Sequence, residues 1–277
     1  MAKKVVAGAG SSTRHFYSAC AAGLGVVLKS PANISQSWAG SALPIIGGRG
    51  GALAGSVVWP NTLNPLLSFD EAWTEITGTE TGPGTYTTTI QIAVTNLNIL
   101  NRIAGSINVT FKFVYIDDPT DRNKDVVDVT ITPAAPYSGL TIPGVVTDRI
   151  SFNTSLFTGA GKDFRKLRSD IDRIRAGAKH KKHPHGEAGG HKHGVLFTAL
   201  VEPERTFTYS DPDFGMFPTA VPGLGKVYFG EWWAEPYRQD FTLLRVVLED
   251  AFAESNPNVK FRGEIVIDEN ENGRTGP

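Results

Sequence analysis

Five of the six histidines of this chain fall in one short run. His180, His183, His185, His191 and His193 lie within GAKHKKHPHGEAGGHKHG, Gly177 to Gly194. Imidazole nitrogens are good ligands for zinc, copper and nickel. If the run folds back through Gly189-Gly190, His183 and His185 meet His191 and His193, and Glu187 can complete an open metal site. Two properties oppose this. The glycines make ordering the loop costly in entropy, and the interspersed lysines repel a cation. The same residues fit a polar insertion that gains positive charge below about pH 6.5.

A second constellation stands near the C-terminus. Asp268-Glu269-Asn270-Glu271-Asn272-Gly273 matches D-x-[DN]-x-[DN]-G, in which Asp268, Asn270 and Asn272 would offer oxygens to calcium and the glycine would allow the sharp turn. The bidentate acid of position twelve would fall beyond Pro277, so other residues would have to complete the shell. The alternative is an acidic tail over 268–277.

Catalytic patterns are missing. The chain has no G-x-S-x-G elbow and no H-E-x-x-H, and Asp213-Phe214-Gly215 stands without the companion motifs of a kinase and reads as a turn. His15 and Cys20, five residues apart, do not make a recognised nucleophile pair, and Cys20 is expected in the core. Asp117, Asp118 and Asp121 are acidic but have no geometry in sequence. The residues favour a protein that is not an enzyme. Trp59, Tyr228, Trp232, Trp233 and Tyr237 could line a face for sugars or a partner, although core packing is the more general use of aromatics. Three N-x-S/T triplets, at Asn33, Asn108 and Asn153, are what composition alone would produce.

The frame that must hold these residues is β. The chain has 277 residues with 27 basic and 28 acidic side chains, a net charge of -1, which argues against a dedicated nucleic-acid binder. A single cysteine excludes an intrachain disulfide and Cys-rich metal sites. Forty per cent apolar content and a mean hydropathy of -0.14 are globular values. Tyr86 to Val94 and Ile107 to Tyr115 alternate apolar and polar with period two, the pattern of strands with one buried face. Asn101 to Gly105 can connect them. Val126 to Ile131 is a further strand, ended by Pro133. Gly23 to Leu28 and Ala54 to Trp59 read as short buried strands, with Ile45 to Gly51 as a flexible turn between them. Val195–Val201, Arg205–Tyr209, Lys226–Trp233, Phe241–Leu248 and Val259–Ile267 complete the set. Val246 to Leu248, an unbroken apolar run, suggests burial on both faces. This density of short strands and turns predicts an antiparallel β-sandwich or barrel.

One segment departs from the β pattern. Phe164, Leu167, Ile171 and Ile174 keep helical spacing and predict a short amphipathic helix over 162–175, with Lys162, Arg165, Lys166, Arg168, Arg173 and Arg175 on its other face. Together with the histidine loop it concentrates ten Lys or Arg against four Asp or Glu between Lys162 and His193. Such a projection would favour association with an acidic surface, weakened by salt. The expected organisation is Gly/Ala-rich N-terminal strands over 1–60, a sandwich body over 61–267 carrying the helix and the loop 177–194, and the tail 268–277. Lys3 and Lys4 could open a signal peptide, but Ser11 to His15 interrupt the apolar core that would follow. The uncharged stretch Phe16 to Leu28 has 13 residues, short of the about 20 that span a bilayer, so no transmembrane segment is expected.

Three stretches, GSVVWP (Gly55 to Pro60), YTTTIQIAVTNLNIL (Tyr86 to Leu100) and PGLGKVYFGEWWAEPYRQDFTLLRVVL (Pro222 to Leu248), resemble uncharacterised bacterial β-domain proteins grouped as choice-of-anchor families. The resemblance implies an extracellular or cell-surface β-module. It contains no catalytic motif, so it carries over no functional residue. The expected function is a non-catalytic structural or interaction protein, self-assembling as a homo-oligomer or bound to another protein. The competing expectation is a metal-binding protein, or a metal-assisted enzyme, using the histidine loop.

Overall fold

The structure, a computed structural model, describes residues 14–60, 65–116, 126–143, 150–152, 195–198, 219–235, 238–253, 256–271 and 274–276. The described part is a β-sandwich of two antiparallel sheets with open edges, so of the two expected architectures the sandwich is the one formed. The helix expected over 162–175, the loop 177–194 and the strand expected over 205–209 lie outside the described residues.

The first sheet is built around a meander of three long strands, β7 (Glu71–Gly82), β8 (Thr85–Ile99) and β9 (Ile103–Ile116). Local chemistry makes both turns. Between Gly82 and Thr85 stand Pro83 and Gly84, the latter at φ 66, which is the Pro-then-Gly order of a type II turn. Between Ile99 and Ile103 the chain reverses through Leu100 and Asn101, at φ 50 and 57. The Arg102 N–H closes that turn on the Ile99 carbonyl at 2.9 Å, a type I′ arrangement suited to strand twist. The Asn98 side chain braces it by accepting the Asn101 N–H at 2.8 Å.

Period two then sorts the side chains. Ile90, Ile92 and Val94 point inward from β8, and the left-handed Asn96 (φ 52) shifts the register so that Leu97 and Ile99 return to the core. Phe111, Phe113 and Tyr115 do the same from β9. Outside the meander, β10 (Val126–Thr132) and β11 (Tyr137–Thr141) share the free side of β9. Gly105, at φ 148, lets β11 come close, because a Cβ there would sit 2.5 Å from the Cα of Leu140. On the other side, β4 (Gly48–Ala54) pairs with β7, and β5 (Val57–Trp59) reaches the end of β8 through β6 (Leu67–Phe69).

The second sheet runs β12 (Val195–Thr198), β14 (Gly225–Glu235), β15 (Arg238–Ala253), β16 (Asn256–Glu271), β2 (Ala19–Ser30) and β3 (Ile34–Ala42), with β13 (Thr219–Val221) also on β14. The N-terminal strand β2 is therefore interior, between β16 and β3. Beyond it, β1 (Arg14–Phe16) pairs with β17 (Arg274–Gly276) in the register that continues the β2–β16 ladder. Val246 and Leu248 are buried while Val247 is half-buried, so the apolar run in β15 has one inward face rather than two.

The layers lock through side chains. Phe241 of β15 lies 4.8 Å from Phe111 and 5.0 Å from Trp232, ring centre to ring centre. The Tyr137 hydroxyl donates to the Leu243 carbonyl at 2.6 Å, and Thr74 Oγ1 donates to the Ala39 carbonyl at 2.8 Å. Each large apolar side chain buried here is worth about 1.5–3 kcal/mol. At one of its changes of layer the chain leaves β3 at Ala42 and enters β4 at Gly48. That corner places β3 and β4, edges of different sheets, on one flank.

Candidate functional site: an open flank and an acidic end of the core

The flank is defined by what it leaves uncovered. β3 is paired on one side only, with β2, and its first four residues, Ile34 to Ser37, are exposed. The neighbouring corner and strands expose large apolar side chains. Ile46 is 86% exposed, Leu53 69% and Ile45 60%, and Val58 is also exposed. On the β2 side Val27 stands out to solvent. Underneath, Trp38 packs edge-on against Trp59 at 5.8 Å and against Phe69 at 5.9 Å, so the flank rests on a rigid aromatic base. Large exposed apolar groups of this kind mark contact surfaces.

The core changes character at its other feature. Inward positions of β16 read Ile265, Ile267, Glu269, Glu271. Glu269 is 3% exposed, and among the described residues neither of its carboxyl oxygens has a hydrogen-bond partner. Burial, with added repulsion from Asp240 and Asp268, holds its pKa well above the ordinary carboxylate range. Glu271 accepts a long hydrogen bond from Thr88 Oγ1 at 3.4 Å. His15 lies on the same end, stacked on Tyr86 at 4.5 Å and tilted against Tyr115 at 5.0 Å. The group is polar and inward, and His15 within it is packed against tyrosines.

On the outer face of the second sheet Glu231, itself buried, accepts two hydrogen bonds from Arg245, one of them from Nε at 2.6 Å. Burial pushes the Glu231 carboxyl up and the guanidinium opposes it. The guanidinium carbon lies 4.0 Å over the Tyr228 ring, and Nη1 reaches Glu264 at 3.5 Å. A shallow groove of about 550 Å³ runs past this ion pair, with Lys29, Asp250 and Arg262 among its lining residues. The Arg262–Asp250 pair holds its charges in a two-pronged bond of 2.6 and 2.9 Å. Cations and anions alternate here, and Arg245, Arg262, Glu231, Glu264 and Asp250 each have an oppositely charged neighbour.

The residues singled out in sequence fare differently. His180, His183, His185, His191 and His193 lie outside the described residues, as do Asn272, Tyr237, Asp117, Asp118 and Asp121. Asp268 and Asn270 stand in the extended backbone of β16, and Asp268, half-buried, has a raised pKa from burial and from Asp240 and Glu264. Among the described residues no three of His, Cys, Asp and Glu are grouped to hold a metal, and no helix is long and apolar enough to cross a membrane. Cys20, expected in the core, is exposed instead. It pairs with Ala42 and Asn270 on neighbouring strands, one residue out of phase with buried Ala19 and Ala21, so period two turns it outward. The aromatics do not form one face. Trp232 is buried and donates to Gln239 Oε1 at 2.6 Å, Trp233 is half-buried on the opposite side, Tyr228 is covered by Arg245, and Trp59 belongs to the flank. Sequence reasoning missed β3, β7, the exposed corner and the buried acid. The signal for the acid was available, since Glu269 and Glu271 continue the inward phase of Ile265 and Ile267.

No curated protein matches significantly. No solved structure matches significantly either. A family model described as a domain of unknown function (DUF8256) matches residues 15–158, from β1 past β11, just over half of the 277-residue chain. The match takes in the whole first sheet and the β2–β3 edge of the second, and on that extent the chain belongs to the DUF8256 family.

Proposed function

We propose that the protein is a non-catalytic structural β-module that works by associating with further copies of itself. The observation that carries the reading is the flank. Ile45, Ile46, Leu53 and Val58 follow one another along the corner, β4 and β5, and all four are exposed. Removing such side chains from water is worth about 1.5–3 kcal/mol each. A net charge of -1 leaves little long-range repulsion between copies. The chemistry-bearing groups support the same reading. The buried ion pair Glu231–Arg245 is satisfied within the sheet, and Glu269 faces the interior rather than a substrate-sized opening.

Sedimentation velocity over a concentration series tests this. The full chain is expected to show a concentration-dependent oligomer, and the Ile46→Lys/Leu53→Lys variant is expected to shift to monomer with its melting temperature retained. A wild-type chain that stays monomeric up to its solubility limit overturns the proposal.

A further inference from the structure

The seam of that association is the β3 edge. We propose that two copies pair β3 to β3, antiparallel about a two-fold axis, and so join their second sheets into one continuous sheet. This rests on the self-association reading above and specifies which surface carries it.

An edge strand offers a row of unpaired backbone N–H and C=O groups, and proteins that must stay monomeric guard such edges with charges, prolines, bulges or short length. β3 carries no charge and no proline over its nine residues, Ile34 to Ala42, and its pairing to β2 has no register shift. Its far end is guarded by the left-handed Ala39, at φ 53, and by β4 passing close to the Ala42 backbone, so the free edge is Ile34 to Trp38. The other edges differ. β4 is seven residues with Arg49 in it, β10 is seven with Asp128, and β5, β11, β12 and β13 are five residues or fewer. Ile34 to Trp38 is thus an uncharged edge stretch without a kink or a bulge.

The occupant follows from symmetry and charge. An antiparallel strand edge is complementary to itself: its alternating donors and acceptors meet their own copy in register after a two-fold rotation. A neutral strand sets no like charges opposite each other. Exposed Val27 and Ile34 extend the contact on either face of the seam.

The test uses the full chain and the outward positions Ser35 and Ser37, which lie opposite Val27 and Gly25. Ser35→Lys/Ser37→Lys places like charges along the seam and is expected to raise the dimer dissociation constant about tenfold or more, with an unchanged circular dichroism spectrum. Ser35→Asp/Ser37→Asp is expected to do the same. An equimolar mixture of the two variants is expected to recover a dimer, seen by native mass spectrometry as the heterodimer. A wild-type oligomer left intact by both variants overturns the β3 seam while leaving self-association standing. A monomeric wild type overturns both. Loss in each variant with no recovery on mixing also overturns β3-to-β3 pairing.

Discussion

Replacing Glu269 by Gln should make the protein more stable at neutral pH and leave it nearly unchanged at pH 4. The carboxyl is buried between the sheets, and the folded state holds its proton to a higher pH than the unfolded chain does. The unfolded carboxyl titrates near 4.5. Above that value the unfolded state releases a proton that the folded state retains. Stability therefore falls as pH rises, by about 1.4 kcal/mol per pH unit, until the folded-state pKa is reached. Below the unfolded pKa the contribution is fully favourable. Gln keeps the shape and stays neutral, so the variant lacks this slope. Above pH 5 the gap between the two proteins should widen with pH up to the folded-state pKa, a slope that denaturation midpoints and melting temperatures both resolve. Urea denaturation of both proteins at pH 4, 5, 6 and 7 measures it. Glu231, whose pKa is also raised, adds slope to both proteins and cancels in the difference, whereas the repulsion between Asp268 and Glu269 is lost in the variant and is part of the effect measured. Parallel stability curves would refute the reasoning, since they would mean that Glu269 is ionised in the fold.

Two further outcomes follow from the geometry. Arg245→Met should cost about 3–5 kcal/mol in chemical denaturation, because it leaves the buried Glu231 carboxylate unpaired, and adding Glu231→Leu should recover a large part of that loss. Cys20 should react with a maleimide in the native protein as fast as in the urea-unfolded chain, within about tenfold, since its side chain faces out of β2.

The central strands could be read from the residues because their inward positions are large. Tyr86 to Val94 and Ile107 to Tyr115 carry β-branched or aromatic side chains at every second place, and β8 and β9 include both segments. β7 was hidden because its inward positions are Ala72, Thr74, Ile76 and Gly78, three of them small or polar. Gly78 must be small, since Tyr17 and Leu43 pack where its Cβ would be. β3 was hidden for a related reason. An edge that is half solvated on both faces has no apolar alternation to display, and Ser, Gln, Gly and Ala dominate it. Ile45 to Gly51 was read as one flexible turn, but only the first part turns. β4 starts at Gly48, where the glycines fit the close passage of β4 against the Ala42 backbone. The flank itself depends on which strands end up at the edges, and edge position is a property of topology that no local pattern encodes.

Hydrogen–deuterium exchange of β3 as a function of protein concentration tests the account most directly. The outward-facing amides of Ile34 to Trp38 are unpaired in a single chain and should exchange quickly at low concentration. Their protection should rise with concentration, in step with the oligomer mass, while the amides of β8 stay protected throughout. Exchange at Ile34 to Trp38 that does not change across the range in which the oligomer forms would contradict the account.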